Sequence, residues 1–325
     1  MNPDAFRQDV LREPQTLAAL LDAYAGAASP LRALGHDPLA GRRVALIGMG
    51  SSRFAALTVA AALRARGVAA VAEYASADPS ATTAPGRDVL AIGISASGAT
   101  PETMAALARH RGVSRTVAIT NRPDGPLAEA ADVALPLLAG KEEGGVACRT
   151  FQATLAVLWL LAGVEADALR PAVEAQRALL DARDDWLEPL LAAVGGAHTV
   201  YAIAPAVRIS SALQAALMLR EGPRVAADGC ETGDWTHVDV YLSKHPGYTA
   251  LLFPGSSFDE GVMEWARPRG SRILAVGRPG PAGTTPVAPF AGADDPLVAS
   301  LVEVSVVELL AATWWRRRID AGAMP

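Results

Sequence analysis

Short apolar runs alternate with stretches of helical periodicity along most of this chain, and that alternation limits what it can fold into. The run "VALI" (Val44–Ile47) leads into a glycine-rich turn and then into "RFAALTVAAALRARG", a helix that Gly67 ends. The same order recurs with "VAAVAEYA", with "DVLAIGIS" before "TPETMAALARHRG", and with "RTVAITN" before "GPLAEAAD" and "VALPLL". Apolar runs this short, separated by helices, predict a parallel sheet with helices on both faces.

From Phe151 to about Leu191 the pattern is helical with no clear strand. Alternation then restarts: strand "TVYAIA", helix "RISSALQAALMLRE", an irregular polar stretch, strand "TALLFPG", helix "DEGVMEWARPRG", strand "RILAVG" and a final helix "LVASLVEVSVVELLAATWWRRRID". The second half reads as a degenerate copy of the first. The fold class expected is therefore α/β, with two doubly wound parallel-sheet units in tandem. N-terminal helices precede them, with Leu17, Leu20, Leu21 and Tyr24 on one apolar stripe. Residues 1–190 would hold these helices, the first unit and the connector helices; residues 191–325 would hold the second unit.

With 325 residues, 51% of them hydrophobic, the chain can bury a sizeable core. Its net charge of −5 and the lack of a long basic run argue against nucleic acid as a partner. The stretch taken as most apolar, "FQATLAVLWLLAGV", is shorter than the roughly 18 to 20 residues that span a bilayer, so no membrane helix is expected. The start "MNPDAFRQDVLREPQ" has neither the basic end nor the apolar centre of a secretion signal, and a cytoplasmic location follows as an expectation. Cys148 and Cys230 lack metal-ligand spacing and are expected to be reduced thiols. No metal site and no cofactor are implied.

Two turns concentrate small hydroxyl side chains at strand ends. In "GMGSS" (Gly48–Ser52), Ser51 and Ser52 stand between a strand and a helix; in "GISASGATPET", Ser95, Ser97 and Thr100 do the same. Ligands of open α/β sheets bind beyond the carboxyl ends of the strands, where helix N-termini face anions. A tight turn with a serine N-cap also explains the first sequence, and Thr100 is a plausible N-cap of the second helix. Capping leaves Ser95 and Ser97 unexplained. Neither turn has the Gly-Lys-Ser/Thr ending of a nucleotide P-loop or a complete G-x-G-x-x-G, so ATP and NAD are disfavoured. A phosphate monoester on a small molecule fits hydroxyls and helix dipoles.

The pair "IGMGSS" and "ISASGATPET", followed by "AITNRPDGPLAEAADVALPLLAGKEEGGVACRTFQATLAVLWLLA", resembles the sugar isomerase (SIS) family of phosphosugar-binding proteins. It looks most like the isomerase domain of glucosamine-6-phosphate synthase and its stand-alone deaminase and deglycase-like relatives. "DVLREPQTL" resembles that family's leading helix. The resemblance implies two flavodoxin-like units in a subunit that is usually a homodimer. It also implies a sugar phosphate or amino-sugar phosphate as ligand, Ser51 and Ser52 as the small hydroxyls of the first turn, and Ser95, Ser97 and Thr100 as the phosphate-cradling residues. Glu142 matches a Glu before the connector helix, and Ala147 stands where the synthase has a substrate-contacting Ser.

In the second half, "ALQAALMLREGPRVAADGCETGDWTHVDVYL" aligns with the synthase segment that carries its catalytic Glu. The alignment places Asp234 at that Glu, Asp228 at an upstream Glu and His237 at a nearby His. Glu231 is an alternative base, and a solvated polar loop is the plainer reading of the acidic cluster. Only Lys141 and Lys244 are lysines, and no lysine matches the one in the synthase tail that forms a Schiff base. His36, His110 and His198 read as ordinary surface or helix-end histidines. The function expected is aldose–ketose isomerisation, or deamination or deglycation of an amino-sugar phosphate. The alternative is a non-catalytic module that senses a phosphosugar.

Overall fold

The computed structural model describes residues 1–197, 199–245 and 247–324, and His198 lies outside them. Helices α1 (Pro3–Leu11) and α2 (Glu13–Tyr24) come first, followed by β1 (Arg43–Gly48), α3 (Gly50–Ala65), β2 (Ala69–Tyr74), β3 (Val89–Ile94) and α4 (Pro101–Ala108). Next are β4 (Arg115–Thr120), α5 (Pro126–Glu129), β5 (Val133–Pro136) and the helices α6 (Arg149–Leu161), α7 (Ala166–Asp181) and α8 (Arg183–Val194). The second series is β6 (Thr199–Ala204), α9 (Ile209–Glu221), β7 (Ala226–Glu231), α10 (Thr232–Trp235), β8 (Thr249–Leu252) and α11 (Asp259–Ala266). It closes with β9 (Arg272–Val276), β10 (Thr285–Val287) and α12 (Pro296–Asp320).

The strands form two five-stranded sheets, β2-β1-β3-β4-β5 and β7-β6-β8-β9-β10, parallel at every pairing. Both have the flavodoxin-like order in which the chain reverses direction across the sheet between its first and third strands. The two doubly wound units expected from the alternation are therefore present, with one topology.

The chain divides into two compact units that are not contiguous in sequence. The first comprises Gln15–Lys141 and Arg149–Arg170 and holds the β1–β5 sheet. Its core includes Ala45, Ile47, Ala91, Leu107, Ala118 and Leu127, and β3 is buried along its whole length. The second comprises Met1–Pro14, Glu142–Cys148 and the chain from Pro171 on. Its core joins Tyr201, Ile203, Trp235, Tyr248, Val262 and Ile273. A division at residue 190 separates the sheets but not the helices.

Hydrogen bonds and a close approach explain why the loop 142–148 goes with the second unit. Gly144 N–H donates to Asp9 Oδ2 at 2.8 Å, and Asn2 N–H donates to the Gly144 carbonyl at 3.1 Å. A Cβ on Gly144 would lie 2.4 Å from Phe6 Cα, so only glycine lets this loop meet α1. Gln214 of α9 donates to the Ala147 carbonyl at 2.7 Å.

Helix α12 is long and apolar enough to cross a membrane, more so than the stretch singled out in the sequence, but 89% of its apolar window is buried inside the protein. It is a core helix of the second unit, and it carries two buried acids, Glu303 and Glu308. Cys148 and Cys230 are both buried and neither is in a disulfide. His110 is fully buried, with Nδ1 2.9 Å from Ser114 Oγ, and burial lowers its pKa; the surface reading of that residue is corrected.

Glu308 belongs to a buried polar group in the second unit. Gln176 and Ser305 each donate to Glu13 Oε2 at 2.8 Å, and the Glu308 carboxyl stands beside that of Glu13. Burial first, then the charges of Glu13 and Glu142, hold Glu308 well above the ordinary value of 4.5. Its contribution to stability is therefore complete below that value and is lost as pH rises through the elevated folded value. Glu308→Gln, neutral at every pH, is expected to raise the melting temperature more at pH 8 than at pH 5. Thermal melts at both pH values check this, and an equal shift at both would contradict it.

Candidate functional site

In the first unit, β1 pairs with β2 on one side and β3 on the other, with Gly48 opposite both Tyr74 and Ile94. The turns that follow β1 and β3 thus leave the sheet side by side at its carboxyl end, where the strand order reverses. Ser95, Ser97 and Thr100 come together there. Ser95 Oγ lies 2.8 Å from Thr100 Oγ1 and 3.3 Å from Ser97 Oγ, and Ser97 Oγ lies 3.4 Å from Thr100 Oγ1. Ser95 is buried, Thr100 is half-buried and Ser97 is exposed, so the group opens outward from the end of β3.

Thr100 is the N-cap of α4 by position, yet its hydroxyl makes no capping bond. Pro101 at the first helical position needs no N–H partner, and the Thr100 hydroxyl is turned to Ser95 instead. The serine-cap reading of the first turn also fails. Helix α3 begins at Gly50 with Met49 as N-cap and no side-chain cap, which leaves Ser51 and Ser52 within the first helical turn, both half-buried. No hydrogen bond engages either hydroxyl among the described residues.

The second turn is held by the neighbouring strand. Ser95 N–H donates to the Ile119 carbonyl at 3.0 Å, Asn121 N–H to Ala96 at 3.2 Å, and Leu127 N–H to Gly98 at 3.0 Å. Gly98 has φ +65°, and a Cβ there would lie 2.9 Å from Thr120 Oγ1 and 3.1 Å from Arg122 Cβ. Thr120 and Arg122, which no sequence motif singled out, are therefore walls of this turn. Their only signal was placement at the carboxyl end of the expected strand "RTVAITN".

The equivalent turn of the second unit has the same length, 253–258 between β8 and α11 against 95–100 between β3 and α4, but different contents. Asp259 Oδ2 accepts N–H bonds from Gly255 at 2.7 Å and Ser256 at 3.2 Å, so an internal carboxylate takes the donors that an anion would use. The buried Arg208 guanidinium donates to Glu303 at 3.0 Å and to the Phe253 and Pro254 carbonyls at 3.3 and 2.7 Å. The strand-order reversal of this sheet is filled by the protein's own ion pair.

The acidic segment lies at the edge of the second sheet, from β7 into α10. Glu231 is the N-cap of α10, its Oε2 accepting from Asp234 N–H at 2.9 Å. Asp234 is exposed, and no hydrogen bond to its carboxylate occurs among the described residues. His237 is exposed one turn later, its N–H donating to the Asp234 carbonyl at 2.9 Å. Trp235 anchors the segment: it is fully buried and donates from Nε1 to Tyr248 Oη at 2.8 Å.

Asp239, which sequence reasoning missed, belongs to the same cluster. Burial raises its pKa, and the negative charges of Asp228 and Asp234 add to the effect. Burial together with Asp239 and Asp228 pushes Tyr201 up to about 12, and burial raises the Cys230 thiol. Glu142 also belongs to the second unit, where its Oε1 accepts from Cys148 N–H at 2.7 Å.

Residues 40–163, from just before β1 through α6, match the family model of the SIS domain. Over 219 residues, 61% of this chain, it is 26% identical to the glutamine–fructose-6-phosphate aminotransferase [isomerizing] of Caulobacter vibrioides, and the match spans 36% of that protein's length. Among solved structures, tagatose-6-phosphate ketose/aldose isomerase from Escherichia coli has a TM-score of 0.83 at 17% identity, covering 99% of this chain and 95% of its own. Glucosamine-6-phosphate deaminase from Thermotoga maritima has a TM-score of 0.76 at 18% identity, covering 97% of this chain and 95% of its own. At these identities the likeness to solved structures establishes the fold, two SIS-type parallel sheets.

The strain at Gly98 can be measured. Gly98→Ala must hold a positive φ and displace Thr120 or Arg122, whereas Gly112→Ala keeps a positive φ with nothing within 4 Å of the new Cβ. Both substitutions are expected to destabilise by about 1 to 3 kcal/mol, with Gly98→Ala the more costly. Urea unfolding of the two variants checks the order.

Proposed function

We propose that this protein is an enzyme acting on a sugar phosphate or amino-sugar phosphate, held by its phosphate at the Ser95–Thr100 turn. The reaction is aldose–ketose isomerisation, or deamination or deglycation of an amino-sugar phosphate. The observation that carries this reading is the trio of hydroxyls at Ser95, Ser97 and Thr100, within 2.8 to 3.4 Å of one another at the N-terminus of α4 and not used to cap it. Hydroxyl donors at a helix N-terminus suit a phosphate monoester. Ser51 and Ser52, free at the start of α3, are proposed to extend the same recognition. Similarity to an isomerizing aminotransferase, a ketose/aldose isomerase and a deaminase supports a phosphosugar as the substrate class.

Isomerisation needs one base that takes a proton from C2 of an open-chain aldose and returns it to C1. Asp234 is the leading base and Glu231 the alternative, since one Glu231 oxygen is engaged with Asp234 N–H whereas the Asp234 carboxylate is exposed. His237 would assist ring opening as an acid or base. Glu142, whose Oε1 accepts a backbone N–H from Cys148, is retained as a substrate-binding candidate. A homodimer in the cytosol completes the proposal. The rival, a phosphosugar sensor without turnover, draws on the lack, among the described residues, of a hydrogen bond to the Asp234 carboxylate.

Exchange of C1 and C2 protons in deuterated water, followed by NMR with fructose 6-phosphate, glucosamine 6-phosphate and fructosamine 6-phosphates, separates the two readings. Exchange is expected, and it should fall at least a hundredfold in Asp234→Asn; binding with no exchange by the wild type would leave the sensor. For the phosphate turn, Ser97→Ala combined with Thr100→Ala is expected to weaken sugar-phosphate binding by about ten- to a hundredfold while leaving binding of the free sugar unchanged. Calorimetric titration checks this, and equal loss for both ligands would count against it.

A further inference from the structure

A phosphate monoester carries about −1.5 to −2 charges near neutral pH, and the Ser95–Thr100 turn by itself answers with neutral hydroxyls and the partial charge of one helix end. We propose that Arg122 supplies the missing positive charge, closing on the bound phosphate from the β4 side. This rests on the reading of the turn as a phosphate site and names the residue that would make it selective for a phosphorylated ligand.

Arg122 is positioned to do so by backbone geometry. It follows the carboxyl end of β4, and its N–H donates to Thr120 Oγ1 at 3.1 Å. The flanking residues bind the turn itself, Asn121 N–H to the Ala96 carbonyl at 3.2 Å and Leu127 N–H to the Gly98 carbonyl at 3.0 Å. Arg122 starts a tight turn, with Gly125 N–H donating to its carbonyl at 2.9 Å. Its Cβ lies 3.1 Å from where a side chain on Gly98 would begin, so the base of the arginine rests against the turn. From that base a long, many-rotamer side chain carries the guanidinium, which a bound phosphate would draw toward the turn.

The guanidinium also has little else to do. Among the described residues its ion-pair partner is Asp124, with Nε 3.7 Å from Oδ1 and the side chains 63% and 83% exposed. A pair so long and so exposed contributes close to nothing to stability, whereas an arginine–phosphate contact is charge-assisted and can be bidentate. The phosphate therefore outcompetes Asp124. Arg53, on the first turn of α3, differs: its guanidinium lies 3.6 Å over the Tyr74 ring and its Nε is buried without a hydrogen-bond partner. Arg53 is spent on packing, while Arg122 is loosely held.

Calorimetric titration with fructose 6-phosphate, inorganic phosphate and fructose tests the assignment on wild type, Arg122→Ala, Arg122→Lys, Asp124→Asn and the Ser97→Ala/Thr100→Ala variant. Arg122→Ala is expected to weaken both phosphate probes about ten- to a hundredfold, to leave fructose unchanged, and to flatten the salt dependence of binding. Arg122→Lys should recover part of the loss, because charge without the planar fork is retained. Asp124→Asn should tighten binding by a few fold, since it frees the arginine. If Arg122→Ala binds like wild type while the hydroxyl variant is weakened, or if it weakens fructose and fructose 6-phosphate equally, the proposal is overturned and the phosphate turn stands. If the wild type binds neither phosphate probe, both fall.

Discussion

Parallel pairing of β1 with both β2 and β3 is the constraint on which the candidate site of the first unit depends. Because Gly48 lies opposite Ile94, the glycine turn and the hydroxyl turn begin at the same level of the sheet, and the strand order reverses between them. Pairing of β3 with β4 then brings the residues after Thr120 against the second turn, where Gly98 alone admits the approach. Hydroxyls, a helix N-terminus and the base of an arginine are assembled by sheet register, without contacts specific to a ligand.

The second unit repeats this register with other side chains, and the comparison separates topology from chemistry. After β8 the turn is again followed by a helix, but Asp259 occupies its backbone N–H groups, and Arg208 with Glu303 fills the space between the strand ends. Burying that pair costs desolvation of both ions, and burial keeps the Glu303 carboxyl above its ordinary pKa even with Arg208 beside it. An open strand-order reversal admits an anion from outside, while a filled one supplies its own. Duplication of a fold therefore does not entail duplication of a site.

The residues proposed as base and acid in the second unit lie at its edge strand. Trp235, buried against Tyr248, fixes α10, and this leaves Glu231, Asp234 and His237 on a short segment with a rigid base. Burial first, and then the like charge of Asp228 and Asp234, hold the Asp239 proton more tightly than that of an isolated aspartate.

The sequence by itself determined the α/β class, the two tandem parallel sheets and the grouping of Ser95, Ser97 and Thr100, because periodicity and strand-end turns are local properties of the chain. The same local reading placed Thr100 at the N-cap, where the structure has it, but did not show that its hydroxyl turns to Ser95 or that Ser51 and Ser52 lie inside the first turn of α3, since whether a hydroxyl caps its helix or turns to a neighbour depends on where that neighbour lies. It also passed over Arg122 and Asp239, whose positions follow from strand pairing and from the end of an edge strand. Only the tertiary structure decided that Glu142 and the segment 142–148 join the second unit, through Gly144 against Phe6 and Asp9, more than a hundred residues away in sequence. It also decided which strand-order reversal is open and which is closed by Arg208, Glu303 and Asp259. Those outcomes rest on distances between residues remote along the chain, set by register and close packing, and no local pattern carries them.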